Sequence, residues 1–327
     1  MPYALCDFLI KESRMVPTKN PRVSYGLTIL EAGGKYKDVV VLTADMMSSF
    51  QTAKFAETYP DRFFNVGVAE QNMFGIAAGL ATCGKIPFVN TFSCFASMRA
   101  LEMLRTDIAY PCLNVKVVSC NAGLAVGAGG TTHHSTEDMA IIRSIANFTL
   151  IVPGDSQEIY RAVMASILYQ GPVYIRMGRL DMEDLYEGEG EFQIGKANQL
   201  RDGKDITIAA CGYMVYPALK AAERLESQKV SARVLNVHTI KPLDEEAILK
   251  AARETKGIVV AEEHTVIGGL GGAVAELVTR EYPTQVRRVG INDTFCGIGP
   301  TEELMTHHGL TEDEIFKQAM EVLRRKP

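Results

Sequence analysis

The sequence contains no tryptophan, no C-x-x-C pair and no long run of one charge. Its seven cysteines are odd in number and scattered. That argues against a disulfide framework or a structural zinc site, and points to reduced thiols in a cytoplasmic setting. Basic residues number 34 against 39 acidic ones, for a formal charge of −5, so neither nucleic acid nor an anionic membrane is expected as the main partner. No apolar run reaches the roughly 18 residues that a membrane span requires. The opening MPYALCDFLIKESR lacks a basic region followed by an apolar core, so no secretory signal is expected. There is no P-loop. The run GGLGG at 268–272 fails the G-x-G-x-x-G spacing because Val274 occupies the last position. It reads instead as a glycine-rich turn opening a closely packed helix.

What is present is an ordinary globular balance, 47% hydrophobic and 22% charged, over 327 residues. That length suggests about two domains. Residues 3–13 have the spacing of a short amphipathic helix. Asn20-Pro21 reads as N-cap and first helical position, with Gly33-Gly34 as the stop. DVVVLTAD at 38–45 is an apolar run ending in an acid, the pattern of a strand buried on both faces. A short helix is expected over 51–58. DRFFNVGVAEQNMFGIAAGL, 61–80, predicts a short strand, a turn at Gly67 and a helix opening at or just before Glu70. Further strands are expected at 86–92, 114–120, 149–152 and 172–177. Helices are expected over 93–109, over 137–146 with Thr136 as cap, and over 156–169.

Residues 178–204 are polar, acidic and glycine-rich, and read as a linker. A second alternating set follows, with strands at 205–211, 232–237, 257–263 and 285–291 and helices at 213–228, 244–254, 270–281 and 311–325. The expected fold is therefore α/β: two doubly wound domains, a mostly parallel sheet over 1–190 and a smaller α/β domain over 191–327. Ligands in such sheets sit beyond the C-terminal strand ends, where Asp45, Glu70, Phe92, Asn121 and Arg179 all fall. By position alone, Glu70 reads first as a first-turn acid favoured by the helix dipole. Phe92 and Phe95 read first as core, and Asp45 equally as a strand-end turn residue or a functional acid.

The ordered series DRFFNVGVAEQNMFGIAAGLA, IPFVNTFSCFASMRA, THHSTEDMAIIRSI, LIVPGD, GPVYIRMGR, VLNVHTIKPLD and VVAEEHTVIGGLGG resembles the transketolase family. The resemblance covers nearly the whole chain but only the C-terminal half of the usual enzyme. That half comprises a thiamine-diphosphate pyrimidine-binding domain and a C-terminal domain. The family's GDG motif, which with a later Asn holds the metal and diphosphate, is absent. So are the family's N-terminal substrate histidines. The resemblance therefore implies a separate N-terminal subunit carrying the thiamine diphosphate phosphates and a Mg2+ or Ca2+ ion, with no metal ligand in this chain. It also implies an obligate hetero-oligomer, expected as α2β2.

Residue by residue, the resemblance implies that Glu70 shares a proton with the cofactor's pyrimidine nitrogen, enabling the thiazolium carbanion to form. Phe95 would stack on the pyrimidine with Phe92 at its edge, and Asp45 would lie near the thiamine. Met98 stands where a third aromatic is common. His133 would contact donor-substrate oxygens, with His134 structural. Arg22, Ser49 and Arg179 would grip a sugar phosphate. Asn121 stands where a family histidine helps bind the acceptor, and Gly129 stands where an acid reads a sugar hydroxyl. The implied activity is transfer of a two-carbon ketol unit from a ketose to an aldose, with sugars or sugar phosphates as substrates. The alternatives are the β subunit of a 2-oxo-acid dehydrogenase, a deoxyxylulose-phosphate-synthase-like enzyme, and a non-catalytic assembly subunit.

Overall fold

The computed structural model describes residues 18–186 and 191–324, so the helix expected over 3–13 lies outside the described residues. Asn20 caps the first helix, α1 (Pro21–Lys35), its side-chain oxygen accepting from the backbone N–H groups of Arg22 and Val23. Pro21 sits where its missing N–H costs nothing. The expected stop at Gly33-Gly34 falls one residue short. Gly33 is needed for a different reason: a Cβ there would press on the rings of Phe55 and Tyr59.

The first half continues with β1 (Val39–Thr43), α2 (Ala53–Thr58), β2 (Phe63–Asn65), α3 (Glu70–Thr82) and β3 (Ile86–Phe92). The helix expected over 93–109 is two π-helical turns, Phe95–Arg99 and Leu104–Ala109, around a short α4 (Leu101–Met103). Next come β4 (Lys116–Cys120), α5 (Asp138–Ser144), β5 (Thr149–Ile151), α6 (Ser156–Leu168) and β6 (Val173–Arg176). Thr136 does not cap α5. The cap position is Glu137, and the Thr136 carbonyl accepts from the N–H of Thr265 in the second half.

The second half comprises β7 (Asn198–Arg201), β8 (Ile206–Ala210), α7 (Val215–Ser227), β9 (Ala232–Asn236), β10 (Thr239–Lys241) and α8 (Glu245–Glu254). It ends with β11 (Ile258–Thr265), α9 (Leu270–Glu281), β12 (Val286–Ile291), α10 (Thr301–His307) and α11 (Glu312–Arg324). Three of these depart from expectation. The segment read as linker contains β7, an antiparallel edge strand on β9. Helix α10 was not expected. Nor was β10, which leaves its own half to pair antiparallel with β5.

The result is two sheets. One has the order β10-β5-β6-β4-β3-β1-β2 and is parallel apart from β10. The other has the order β12-β11-β8-β9-β7 and is parallel apart from β7. The strands β1, β4, β8 and β9 are buried at every residue, which is why β1 and β8 read as nearly continuous apolar runs; β4 and β9 bury polar side chains as well, Lys116 and Ser119 in one and Arg233 and Asn236 in the other. By covering the edge of β5, β10 ties the halves together, and one apolar cluster joins Leu150 and Val152 to Leu235, Val237 and Ile240 across the junction.

Candidate active site

Five adjacent strands of the first sheet, β6-β4-β3-β1-β2, present their C-terminal ends in a row. Arg179 follows β6, Asn121 follows β4, Phe92 ends β3, Asp45 follows β1, and the loop after β2 leads to Glu70. This row exists because every strand is parallel and the chain returns through helices, so all C-terminal ends face one way.

Glu70 opens α3 and is 1% exposed. A buried carboxylate needs donors. Among the described residues its one side-chain partner is Arg99, whose Nη1 donates to Oε1 at 3.2 Å and Oε2 at 3.1 Å. The Arg99 guanidinium also lies over the ring of Phe95, 4.3 Å from its centroid. Phe95 stacks at 6.0 Å and 24° on Phe92, and the ring of His133 meets Phe95 edge-on at 5.5 Å and 70°. Four of the expected residues therefore converge: Glu70, Phe92, Phe95 and His133. Arg99 was missed. The available signal was its spacing, four residues beyond Phe95 and hence one helical turn along the same face.

Asp45 is held at the lip of this cluster in a left-handed conformation, with φ 61°. Its N–H donates to Asn65 Oδ1 at 3.0 Å, and Asn65 Nδ2 donates back to Asp45 Oδ1 at 3.2 Å. The same Asn65 oxygen accepts from the Gly67 N–H at 3.1 Å, so one side chain shapes the turn that delivers Glu70.

Asn121 is also left-handed, φ 57°, and buried, with an Oδ1 that has no hydrogen-bond partner. It follows Cys120, whose strand partner is Phe92, so this end of β4 adjoins the aromatic cluster. Arg22 and Arg179 both act electrostatically on Cys120, although burial dominates and pushes its thiol well above the ordinary range. Arg22 Nε is buried without a partner. Ser49 lies half-buried in the turn after β1, and among the described residues it bonds to none of the other candidates.

The loop between β4 and α5 carries His133. Thr132 Oγ1 lies 2.9 Å from His133 Nδ1. His134 is buried, with Nε2 3.1 Å from the Gly127 carbonyl, and burial lowers its pKa. Its ring contact is thus made inside its own loop. The GGLGG turn is likewise occupied from within. Glu262 accepts from the N–H groups of Leu270 and Gly271 at 2.7 and 2.9 Å, filling the start of α9 with the chain's own carboxylate.

The sequence matches two family models: the transketolase pyrimidine-binding domain over residues 19–183 and the transketolase C-terminal domain over 195–315. The chain belongs to the transketolase family. A putative transketolase C-terminal section from Methanocaldococcus jannaschii is 47% identical, over 94% of this chain and 98% of that protein. The 6-deoxy-6-sulfo-D-fructose transketolase subunit SqwH of a Clostridium species is 44% identical, over 93% and 95% respectively. Among solved structures, a split-gene transketolase described as an inactive β4 tetramer superposes with a TM-score of 0.87 at 41% identity. That superposition covers 94% of this chain and 99% of the other. The chain thus has the two-domain architecture of a split transketolase's C-terminal subunit.

The transketolase site fits a flat, N–H-bearing heterocycle. The Arg99 guanidinium is a planar donor group, and it already lies against Phe95 while bonding Glu70. The space between ring and carboxylate therefore accepts the chemistry that an aminopyrimidine would bring.

Proposed function

We propose that this chain is the pyrimidine-binding and C-terminal subunit of a two-subunit, thiamine-diphosphate-dependent transketolase. A separate N-terminal subunit supplies the diphosphate and metal site, with Mg2+ or Ca2+ as the ion, in an α2β2 assembly in the cytoplasm. The observation that carries this reading is Glu70: a carboxylate 1% exposed, beside a stacked aromatic pair and held by a planar donor, Arg99. When bound, the cofactor supplies the nucleophilic carbon that takes up and passes on a two-carbon ketol unit.

The residues of this chain have distinct parts in that reading. Glu70 exchanges a proton with the pyrimidine ring nitrogen in a water-poor setting. Phe95 gives that ring its stacking face, Phe92 borders it, and Asp45 stands beside them at the end of β1. Arg99 must release Glu70 when the heterocycle binds. His133, set edge-on to Phe95, hydrogen-bonds donor-sugar oxygens. Arg22 and Arg179 hold an anionic tail on the sugar, with Ser49 and Asn121 adjoining. A sulfonated sugar appears in the name of one relative, which suits arginines that read charge rather than one particular anion.

Two findings support dependence on a partner. Val68, 68% exposed, and Met98, 45% exposed, flank the site and leave apolar surface to be covered. The β4 tetramer of the split-gene relative is described as inactive. Among the described residues no helix is long and apolar enough to cross a membrane.

The test is reconstitution. The purified chain is mixed with an N-terminal transketolase subunit, thiamine diphosphate and Mg2+, and ketol transfer to an aldose phosphate is followed. Activity only in the mixture, abolished by Glu70→Ala, is expected. Turnover by this chain alone, or decarboxylation of 2-oxo acids without ketol transfer, would overturn the reading.

A further inference from the structure

The loop from Asn121 to Thr136 brings His133 to the aromatic cluster, yet most of its anchors come from the second half of the chain. Its base is closed by reciprocal hydrogen bonds between Gly123 and Ser135, at 2.9 and 3.0 Å. Glu263, fully buried at the C-terminal end of β11, reaches into that closure. Its Oε1 accepts from the Leu124 N–H at 2.8 Å. Gly123 is left-handed, φ 60°, and any Cβ there would collide with the Glu263 carboxyl. The side chain and the glycine are therefore mutually required: the carboxyl occupies the volume that Gly123 leaves open.

Neighbouring contacts run the same way. Arg176 Nη2 donates to the carbonyls of Ser135 at 3.3 Å and Glu263 at 3.0 Å, fastening β11 to the far side of the loop. The Thr265 N–H donates to the Thr136 carbonyl at 2.8 Å. Thr131 Oγ1 donates to the Cys296 carbonyl at 2.7 Å, and Leu124 packs into the second half's apolar core. Glu263 is the one acidic side chain in this set, and no step of the proposed chemistry uses it.

We propose that Glu263 is a positioning residue, through which the C-terminal domain seats the loop that carries His133 against Phe95. The consequence for catalysis rests on the reading of His133 as a substrate contact; the seat itself does not. On this view the second domain is part of the active-site scaffold rather than an appended module. A carboxyl in this place holds the loop by accepting one N–H and by filling the Gly123 hollow. An amide of the same shape should do both, and a methyl group neither.

Amide hydrogen exchange on the full chain, with kinetics in the assembled two-subunit enzyme, tests this. In Glu263→Ala, exchange across 121–136 should accelerate about tenfold, the effect of losing one buried hydrogen bond, while 63–82 is unchanged. The kcat/KM should fall chiefly through KM. Glu263→Gln should restore both towards wild type, because its amide oxygen accepts from Leu124. Gly123→Ala attacks the seat from the loop side and should reproduce the alanine pattern, which keeps the test open if Glu263→Ala does not fold. Unchanged exchange in 121–136 in both disruptive variants, or glutamine as damaging as alanine, would overturn the proposal. If His133→Ala retains full kcat/KM while the exchange pattern holds, the substrate role of His133 fails and the seat stands.

Discussion

Glu70 and Arg99 form an asymmetric pair: a glutamate side chain 1% exposed held by an arginine side chain 48% exposed. The cation keeps its access to solvent, whereas the anion has none. Such a pair protects a buried acid until another planar donor takes the place of the arginine.

Two opposite outcomes follow from that asymmetry. Glu70→Ala in the reconstituted enzyme should lower kcat by about 10²–10⁴, the range for loss of a proton-exchanging group, while leaving the fold intact by circular dichroism. Arg99→Ala should reduce stability by about 1–3 kcal/mol in urea unfolding, because it strips a buried carboxylate of the guanidinium that holds it. A stability equal to wild type in Arg99→Ala would mean that the pair does not persist in solution.

Asn65 makes the turn between β2 and α3 by bonding both Asp45 and Gly67. Its bonds are exposed, so Asn65→Ala should cost no more than about 1 kcal/mol of stability. The expected signature is functional instead: weaker cofactor binding by the assembled enzyme in titration calorimetry. Unaltered cofactor affinity would detach this turn from the site.

Asp138 and Arg176 are a buried ion pair, with Nε donating to Oδ2 at 2.9 Å and side chains 0% and 4% exposed. Burial works against the arginine's charge, but Asp138 and Glu263 more than offset it, so the guanidinium stays protonated. Asp138→Ala should lose about 3–5 kcal/mol, since it leaves the cation buried and unpaired. Replacing both members with apolar residues, Asp138→Leu with Arg176→Met, should recover part of that loss in denaturant melts.

Burial pushes the Glu263 carboxyl from 4.5 up to about 7, with Arg176 and the Leu124 N–H opposing and Asp138 adding to the shift. Tyr213, Cys211 and Cys296 also feel its charge. Between pH 4.5 and about 7 the folded chain keeps a proton that the unfolded chain has released. The stabilisation is therefore complete below the lower value and is lost as pH rises through the upper one. It amounts to about 3 kcal/mol. Asp155 and Glu158, also pushed up by burial, act in the same direction. Unfolding free energies at pH 5 and pH 8 should therefore differ less in Glu263→Gln than in wild type, by up to about 3 kcal/mol. An identical pH difference in the two proteins would refute the assignment.

Several elements of the fold are legible in the sequence. IPFVNTF was expected at 86–92 and forms β3 over Ile86–Phe92; the helix expected over 270–281 forms α9 over Leu270–Glu281. The Asn20-Pro21 start holds because capping depends on the next two or three residues only. The departures share a cause. β10 is three residues long and exists because β5 has an open edge. β7 is polar and half-exposed, with no apolar run to announce it. Thr136 gives up its capping role because β11 takes its backbone. The π turns after Phe95 carry no period that separates them from an α-helix.

The sequence by itself determined the alternation of strands and helices, the two-domain α/β class and the row of side chains at the strand ends. Each of these depends on periodicity, burial and residue order along a single segment. The tertiary structure decided what those side chains face. It placed Arg99 between Glu70 and Phe95, bound Asp45 to Asn65, and made Glu263 the support beneath the loop of His133. Such contacts join residues up to 139 positions apart. Local pattern carries no record of them, because they arise only when separately formed elements pack and a polar group on one must find its partner on another.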